Sequence, residues 1–175
     1  SSPVTEVGQR LTAQQYELIR GEAMLAFRDG ALLNLHAGTR LRLIDSGGGQ
    51  LLAGRVSVQC GSEAVGFSLL TPVGEVIDLG TKFGVSVDPN GATDIHVFEG
   101  AVEFTRSQPQ GASSKLIEKA SASRGLPNEA SMQEVPLNPK GFRTEFHVRA
   151  SAITRSPGPR LFASETFDYP VGKLG

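Results

Sequence analysis

The sequence LGTKFGV at residues 79–85 decides the fold, because an echo of it, AGTRLRL, occurs earlier at residues 37–43. Each stretch has a glycine-threonine pair, then a basic residue, then hydrophobic residues at alternate positions. A second echo follows each of them, AGRVSV at residues 53–58 and EGAVEF at residues 99–104. Self-similarity in this order over about 40 residues predicts that one β-rich unit occurs twice in the domain.

Hydrophobic and polar residues alternate through both units, which is the period of a β-strand. In the first unit Leu41 and Leu43 share one face. In the second unit the residues of one parity are Ile77, Leu79, Thr81, Phe83, Val85 and Val87. This alternation predicts half-buried strands with one face on a core, and it places Phe83 and Phe104 in that core.

Turn residues separate the alternating runs about every 8 to 15 residues. The turns are Asp29-Gly30, Ser46 to Gly49, Pro72-Val73-Gly74 and Pro89-Asn90-Gly91. This spacing predicts an all-β fold, either a twisted β-sandwich or a short solenoid-like stack built from two similar hairpin units. No helix of 10 residues with an apolar stripe is predicted in the core region.

Outside the two units the pattern is weaker. Residues 13–20 are predicted to be an ordered segment whose secondary-structure type the pattern does not decide. Residues 108–114 are predicted to be a loop. Residues 115–124 supply one or two last strands. Residues 142–148 are predicted to be a strand that returns to the sheet, and residues 155–159 are a linker-type breaker.

Composition excludes several classes of function. The 175 residues allow one domain with a core and an appendage, and 17 basic against 18 acidic residues give a formal charge of −1. We therefore expect no nucleic-acid partner. The single cysteine, Cys60, is predicted to be a buried hydrophobe. No apolar run approaches the ~20 residues of a membrane span, and the start, Ser1-Ser2-Pro3, is expected of a piece of a longer protein.

Metal and cofactor sites are not predicted. His36, His96 and His147 lack the spacing of a zinc site, and the first two have the parity of surface residues. Asp88 with Asp94 brackets a glycine turn, but the remaining ligands of a calcium loop are missing, so a plain hairpin turn is expected. No cofactor is expected either, since the chain has no phosphate loop.

The second unit carries a family resemblance. LTPVGEVIDLGTKFGVSV at residues 70–87, followed by DIHVFEGAVEF at residues 94–104, resembles the core of a FecR domain. The earlier DGALLNLHAGTRLRL and GRVSV correspond to the family's first motifs, so the resemblance spans residues 21–106 and continues more weakly to about residue 124. The matching motif residues are Leu79, Gly80, Thr81, Phe83, Gly100 and Val102.

The resemblance implies a signalling role. FecR-like proteins are single-pass inner-membrane regulators that control an extracytoplasmic-function sigma factor and receive a signal from an outer-membrane partner. This chain would be the periplasmic sensor domain of such a membrane-tethered protein, with a receptor or a sigma-pathway component as its partner. The anti-sigma helices and the membrane span of the family are not in this sequence. The residues expected to form a partner surface are Arg40, Arg42, Lys82, Asp94, His96 and Glu99.

The resemblance also raises one covalent possibility. Some FecR-like sensors are thought to cut themselves at a matching glycine-threonine, where the hydroxyl attacks the preceding carbonyl. Gly80-Thr81 is therefore a candidate for single-turnover self-cleavage. Thr81 shares the parity of the core, and the echo Gly38-Thr39 indicates a repeated turn, so a folding role is favoured. No catalytic residue is otherwise predicted, because no nucleophile has an adjacent base, and the chain is not expected to be an enzyme.

The end of the chain suggests a second possibility. LFASETFDYPVGKLG at residues 161–175 resembles the opening of a concanavalin-like (laminin G type) jelly-roll domain, which follows directly in some FecR-like proteins of planctomycete type. An alternative function is therefore a non-signalling envelope binding or scaffold module that supports a carbohydrate-binding domain, with a glycan as possible partner. The predicted parts are a leading segment (1–20), the FecR-like β domain (21–125), an appendage (126–156), and a linker with the start of a further domain (157–175).

Overall fold

The computed structural model describes residues 11–44, 48–108 and 111–146, together with the backbone of three short strands nearer the ends. The described residues form strands and two single 3-10 turns, at Ser62–Ala64 and Pro139–Gly141, and no α-helix. The strands are β1 (Val4–Thr5), β2 (Gln15–Leu18), β3 (Glu22–Ala26), β4 (Leu32–His36), β5 (Thr39–Ile44), β6 (Gly48–Gln59), β7 (Ser68–Leu70), β8 (Glu75–Asp78), β9 (Lys82–Val87), β10 (Thr93–Glu99), β11 (Ala101–Gln108), β12 (Gly111–Glu118), β13 (Ser121–Gly125), β14 (Gln133–Glu134), β15 (Arg160–Ala163) and β16 (Val171–Lys173).

The strands build two sheets that share β6. Sheet A has the order β1-β16-β2-β5-β6-β7-β8-β11-β12, and sheet B has the order β15-β3-β4-β6-β9-β10-β13-β14. The first half of β6 pairs with β5 in sheet A, and its second half pairs with β4 and β9 in sheet B. The strand passes between the sheets at Gly54, whose φ of +94° is open to glycine and costly for other residues. The all-β, sandwich-like prediction is confirmed.

The predicted duplication is confirmed by the strand pairing. In the first unit β5 pairs with β6 before Gly54, and β4 pairs with β6 after it. In the second unit β9 pairs with β10 before Gly100, and β8 pairs with β11 after it. Gly100 has a φ of +74° and separates β10 from β11 as Gly54 divides β6. In each unit the chain thus crosses from one sheet to the other at a glycine and changes its pairing partner there.

A bulge occurs at the same place in both units. In the first, Arg40 pairs with Ala53 but Leu41 pairs with Leu51, which leaves one extra residue on β6. In the second, Lys82 pairs with Glu99 but Phe83 pairs with Val97. An extra residue bends a strand and increases its twist, so both bulges help to turn the chain from one sheet towards the other.

The inner faces of the two sheets enclose one hydrophobic core. Phe83 is fully buried and Phe104 is 2% exposed, as predicted. Phe27 and Phe67 meet edge to face, with ring centroids 5.1 Å apart. The largest fully buried side chains are Phe83, Leu18, Leu33, Leu41, Leu51, Leu69, Ile95, Ile117, Val56, Val58 and Val76.

Several local predictions are wrong. Ile77 and Leu79 do not share the core parity of Phe83, since β8 buries Val76 and Asp78 instead. The turn at Gly80, with φ +92°, leads from β8 in sheet A to β9 in sheet B. The alternation of inward and outward side chains therefore does not continue from one strand to the other. Residues 111–114 are not loop, because β12 begins at Gly111 and pairs with β11 along its whole length.

The predicted turns at residues 29–30, 72–74 and 89–91 do connect strands. Asp88 uses its Oδ1 to accept the amides of Asn90 and Ala92, at 2.8 and 3.1 Å, so that carboxylate shapes a hairpin as expected. The fourth predicted turn, Ser46 to Gly49, is wrong in its described half, because Gly48 and Gly49 belong to β6 and pair with β5. Residues 45–47 lie outside the described residues, as does most of the predicted linker sequence at both ends.

The chain after β14 crosses sheet B instead of joining it as a strand. Residues 142–146 are irregular, so the predicted returning strand is wrong in its described part; residues 147 and 148 lie outside it. We call residues 138–145 the crossing segment, because they run across the strands of sheet B on its outer face. Nearer the end of the chain, β15 pairs with β3 and β16 pairs with β2. The domain boundaries given above stay predictions.

Candidate functional site

The glycine-threonine turn of the second unit is locked by one buried carboxylate. Asp78 is fully buried at the end of β8. Its Oδ2 accepts a hydrogen bond from the Gly80 amide at 2.8 Å, and its Oδ1 accepts one from the Thr81 hydroxyl. Burial raises the pKa of Asp78 above its ordinary value, and the hydrogen bonds oppose that rise. A polar contact at the edge of the core therefore holds the motif pair.

The matching turn of the first unit is locked without a carboxylate. Thr39 Oγ1 donates to the Arg55 carbonyl at 2.9 Å and accepts from the Arg55 amide at 3.0 Å. Thr39 also lies against Gly54, where a Cβ would stand 2.7 Å from Thr39 Oγ1. A Cβ at Gly100 would likewise stand 2.8 Å from Thr81 Cγ2. Both threonines hold a turn beside the glycine of a strand passage, which favours the folding role.

Cys60 lies buried beside the second turn. Its amide donates to the Thr81 carbonyl at 2.9 Å, and its thiol hydrogen-bonds to Asp78. Burial, assisted by the nearby carboxylate, raises the pKa of the Cys60 thiol far above its ordinary value. A thiol kept protonated is a poor nucleophile, so the structural role expected for this residue fits its environment.

The outer face of sheet B carries a row of polar side chains in register. Arg55 on β6 pairs with Ser86 on β9, Ser86 pairs with Asp94 on β10, and Asp94 pairs with Arg124 on β13. The Asp94 carboxylate accepts two hydrogen bonds from the Arg124 guanidinium, at 2.6 and 2.7 Å. Four adjacent strands thus place two guanidinium groups and one carboxylate on one surface.

The crossing segment is held on this face through its main chain. Side chains of β4 and β6 donate to three of its carbonyl groups. These contacts are Asn34 Nδ2 to Glu145 at 3.0 Å, Arg55 Nη1 to Gly141 at 2.6 Å, and the Ser57 hydroxyl to Arg143. Because the sheet binds carbonyl groups, the segment needs no strand geometry to satisfy its buried backbone.

Phe142 anchors the crossing segment. Its ring covers Gly84 in β9, where a Cβ would stand 2.6 Å from Cε1 of that ring. The ring centroid lies 5.1 Å from that of His96 and 5.8 Å from that of Phe98. The Arg55 guanidinium stands over the same ring, 5.4 Å from its centroid. A glycine inside a strand therefore makes room for a ring from a distant part of the chain.

His36 and His96 bind the crossing segment as well. The prediction that both are surface residues is wrong for His96, which is only 5% exposed. His36 is partly buried. The Arg143 amide donates to His36 Nε2 at 3.3 Å, and the Asn138 amide donates to His96 Nδ1 at 3.3 Å. A ring nitrogen that accepts a hydrogen bond carries no proton, so this geometry requires both rings to be neutral.

Burial lowers the pKa of both histidines. For His36 the opposing influence is Glu22, whose Oε1 lies 3.7 Å from the ring. For His96 it is Asp94, and the Arg55 guanidinium lowers the pKa of both rings further. Desolvation and the arginine thus favour the neutral rings that the crossing segment needs.

The six residues predicted to form a partner surface are divided between two faces. Arg40 and Arg42 are exposed on β5 in sheet A. The other four belong to sheet B: Lys82, Asp94, His96 and Glu99. Lys82 Nζ and Glu99 Oε1 lie 3.3 Å apart and form an exposed ion pair. The structure therefore does not bring this set together.

The family-motif residues meet at the passage between sheets. Thr81, Phe83 and Val102 are buried, whereas Leu79 is 45% exposed. Gly80 and Gly100 contact each other, since a Cβ at Gly100 would stand 2.5 Å from the Gly80 carbonyl oxygen. Packing at this passage thus accounts for every residue of the family motif except Leu79.

Sequence reasoning missed the residues that hold the crossing segment. Arg55 and Ser57 have the outward parity of β6, which is the ordinary parity of solvent-exposed residues. Gly84 was a usable signal, because a glycine within an alternating strand indicates a close approach. Nothing in the sequence names Phe142 as the approaching residue.

A cavity of about 280 Å³ lies between the crossing segment and the polar row. Its polar lining consists of Arg55, Ser86, Asp94, His96, Arg124 and Asn138. Val135, Pro136 and Phe142 form its apolar side. Sheet and crossing segment both contribute walls, so the cavity exists only when the segment is in place.

The described part of the chain has neither a metal-ligand cluster nor a membrane-spanning helix. Its histidine, cysteine and acidic side chains form no group of three that could hold a metal ion. Among the same residues no helix has the length and apolar character to span a membrane.

Comparison with solved structures finds the same fold in other proteins. Two crystal structures of a candidate anti-sigma factor from Parabacteroides distasonis ATCC 8503 are similar to this chain, with TM-scores of 0.58 and 0.57 and sequence identities of 20% and 17%. The match covers 74% and 71% of this chain but only 62% and 61% of those chains. At this identity the likeness concerns the fold.

Comparison with sequences identifies the family. No curated protein matches the chain significantly. The family described as FecR protein matches residues 10–103, which include the first unit, both glycine-threonine turns and Gly100. Since this match covers more than half of the chain, the protein belongs to the FecR family of regulatory proteins.

Proposed function

We propose that this chain is the extracytoplasmic sensor domain of a membrane-tethered FecR-like regulator that acts on an extracytoplasmic-function sigma factor. Family membership over residues 10–103 is the observation that carries the proposal. The fold shared with a candidate anti-sigma factor supports it. The partner would be a protein of the envelope, either an outer-membrane receptor or a component of the sigma pathway.

The outer face of sheet A is the surface we propose for this partner. The crossing segment covers much of the outer face of sheet B, whereas Arg40 and Arg42 are exposed on sheet A. Ile19, which follows the neighbouring β2, is 55% exposed. Two exposed cations on β5 and an exposed aliphatic side chain after β2 suit a partner with acidic and apolar residues.

A transcription assay with the full-length protein tests the function. We expect deletion of this domain to change the level of sigma-dependent transcripts in the source organism. The double variant Arg40→Glu with Arg42→Glu should reproduce part of that change. Lys119→Glu is the matched control, because Lys119 is an exposed cation on the turn between β12 and β13.

Affinity capture of bound material from the envelope distinguishes the sensor function from the scaffold role. A receptor or membrane regulator that binds the natural domain and the Lys119→Glu control, but not the double variant, supports the sensor function. Capture of glycan alone, with unchanged transcripts after deletion, contradicts it and favours the scaffold role.

A further inference from the structure

The cavity under the crossing segment has an uncompensated positive charge. Arg124 is neutralised by Asp94, which it binds through two hydrogen bonds of 2.6 and 2.7 Å. Arg55 has no carboxylate partner among the described residues; its guanidinium donates to the Gly141 carbonyl and stacks on Phe142. With His96 neutral, the lining has a net charge of +1. An anion would complete the charge balance.

The cavity is also rich in hydrogen-bond donors. Because His96 Nδ1 accepts the Asn138 amide, the proton of the neutral ring is on Nε2, which is a donor. Asn138 Oδ1 accepts the Gly141 amide at 3.2 Å, which leaves its Nδ2 to donate. The Ser86 hydroxyl has no partner among the described side chains. The one carboxylate in the lining, that of Asp94, is already engaged by Arg124.

We propose that this cavity binds a small organic carboxylate. The charge of Arg55 and the donors around it match a carboxylate group, which accepts several hydrogen bonds at once. The apolar side, formed by Val135, Pro136 and Phe142, receives a short hydrocarbon or aromatic body. The volume, about 280 Å³, lies at the lower limit of about 300 Å³ for small-molecule sites, so the ligand is small. This site goes beyond the proposed function and does not depend on it.

NMR titration of the ¹⁵N-labelled chain tests the proposal, with benzoate, butyrate and acetate as probes. We expect saturable shifts of the Ser86, His96 and Asn138 amide signals, with benzoate binding more tightly than acetate. Benzamide, the neutral analogue of benzoate, should bind at least about tenfold more weakly, since a hydrogen bond to a charged group contributes more than a neutral one. Equal binding of benzamide, or no saturable shift with benzoate, overturns the proposal.

Two variants locate the carboxylate. Ser86→Ala removes a donor without touching the crossing segment and should weaken benzoate by several fold. Arg55→Gln should weaken it by at least about tenfold. Arg28→Gln, which removes an exposed arginine from the turn between β3 and β4, should leave the affinity unchanged. Benzoate binding that is unaffected by both Ser86→Ala and Arg55→Gln refutes the assignment.

Titrations with two other anions test whether the ligand is a small organic carboxylate, a phosphate or a carboxylate of a polypeptide. Inorganic phosphate should bind more weakly than benzoate, because it has no apolar body to contact Phe142. A capped glutamate peptide presents the same carboxylate on a polypeptide and should also bind more weakly. Tighter binding of phosphate or of the peptide contradicts a small organic ligand.

Discussion

Replacement of the passage glycine Gly54 by alanine should be far more costly than the same change at another glycine with the same backbone angle. Gly30 and Gly54 have φ values of +96° and +94°, so both substitutions impose the same left-handed strain. That strain is about 1–2 kcal/mol for a residue with a Cβ. At Gly30 nothing lies within 4 Å of the new Cβ, so Gly30→Ala should cost only this amount.

At Gly54 the new Cβ meets backbone. It would overlap the Cα of Thr39 and stand 2.8 Å from the Gly38 carbonyl oxygen. These atoms belong to the turn of the first unit and cannot rotate away, as a flexible side chain could. Overpacking adds about 1–3 kcal/mol, so we expect Gly54→Ala to cost about 2–5 kcal/mol in total. That is a large part of an ordinary stability of about 5–15 kcal/mol.

Urea unfolding followed by far-ultraviolet circular dichroism measures both costs in the same buffer. Gly100→Ala belongs in the series, because a Cβ there would stand 2.5 Å from the Gly80 carbonyl oxygen. We expect it to resemble Gly54→Ala. A cost at Gly54 within about 0.5 kcal/mol of that at Gly30 would refute the reasoning, since it would mean that the passage between sheets tolerates a side chain.

Four further outcomes are expected. Phe83→Ala should lower the free energy of unfolding by about 3–5 kcal/mol, because Phe83 is fully buried; a loss under ~1 kcal/mol in a urea melt would contradict its core position. The pKa values of His36 and His96 are lowered in the folded chain, so the unfolded chain binds more protons below about pH 6.5. The free energy of unfolding should therefore fall as the pH drops through about 6.5. In urea melts from about pH 8 to about pH 5, the double variant His36→Gln with His96→Gln should lose most of this dependence. Phe142→Ala should release the crossing segment and speed trypsin cleavage within residues 138–145 by about tenfold or more, whereas an unchanged cleavage rate would mean that the ring is not its anchor. Gly80-Thr81 should stay intact, so the mass after prolonged incubation should not change; fragments that end at Gly80 and begin at Thr81 would establish self-cleavage instead.

The duplication could be predicted from the sequence because its signals are local. A glycine-threonine pair, an alternating strand and a glycine recur in the same order, and each forms the same element in both units. Phe83 and Phe104 could be placed in the core for the same reason, since strand parity decides which face a side chain joins. The parity of Leu79 could not be predicted, because the turn at Gly80 interrupts the alternation.

The site on sheet B could not be predicted in the same way. Arg55 and Ser57 have the parity of surface residues, and they are covered by residues about 86 positions away in the sequence. The crossing segment is irregular and therefore has no period that could indicate its position. The neutral state of His96 likewise depends on the Asn138 amide, 42 positions later.

The sequence by itself determined the alternating strands, the repeated unit and the resemblance to the FecR family, because these follow from patterns between near neighbours in the chain. The tertiary structure alone decided which face of sheet B is covered, which histidine is buried and where an uncompensated arginine faces a cavity. Those features arise where residues distant in sequence meet, and their free energies depend on burial, on hydrogen-bond partners and on charges that no local pattern records.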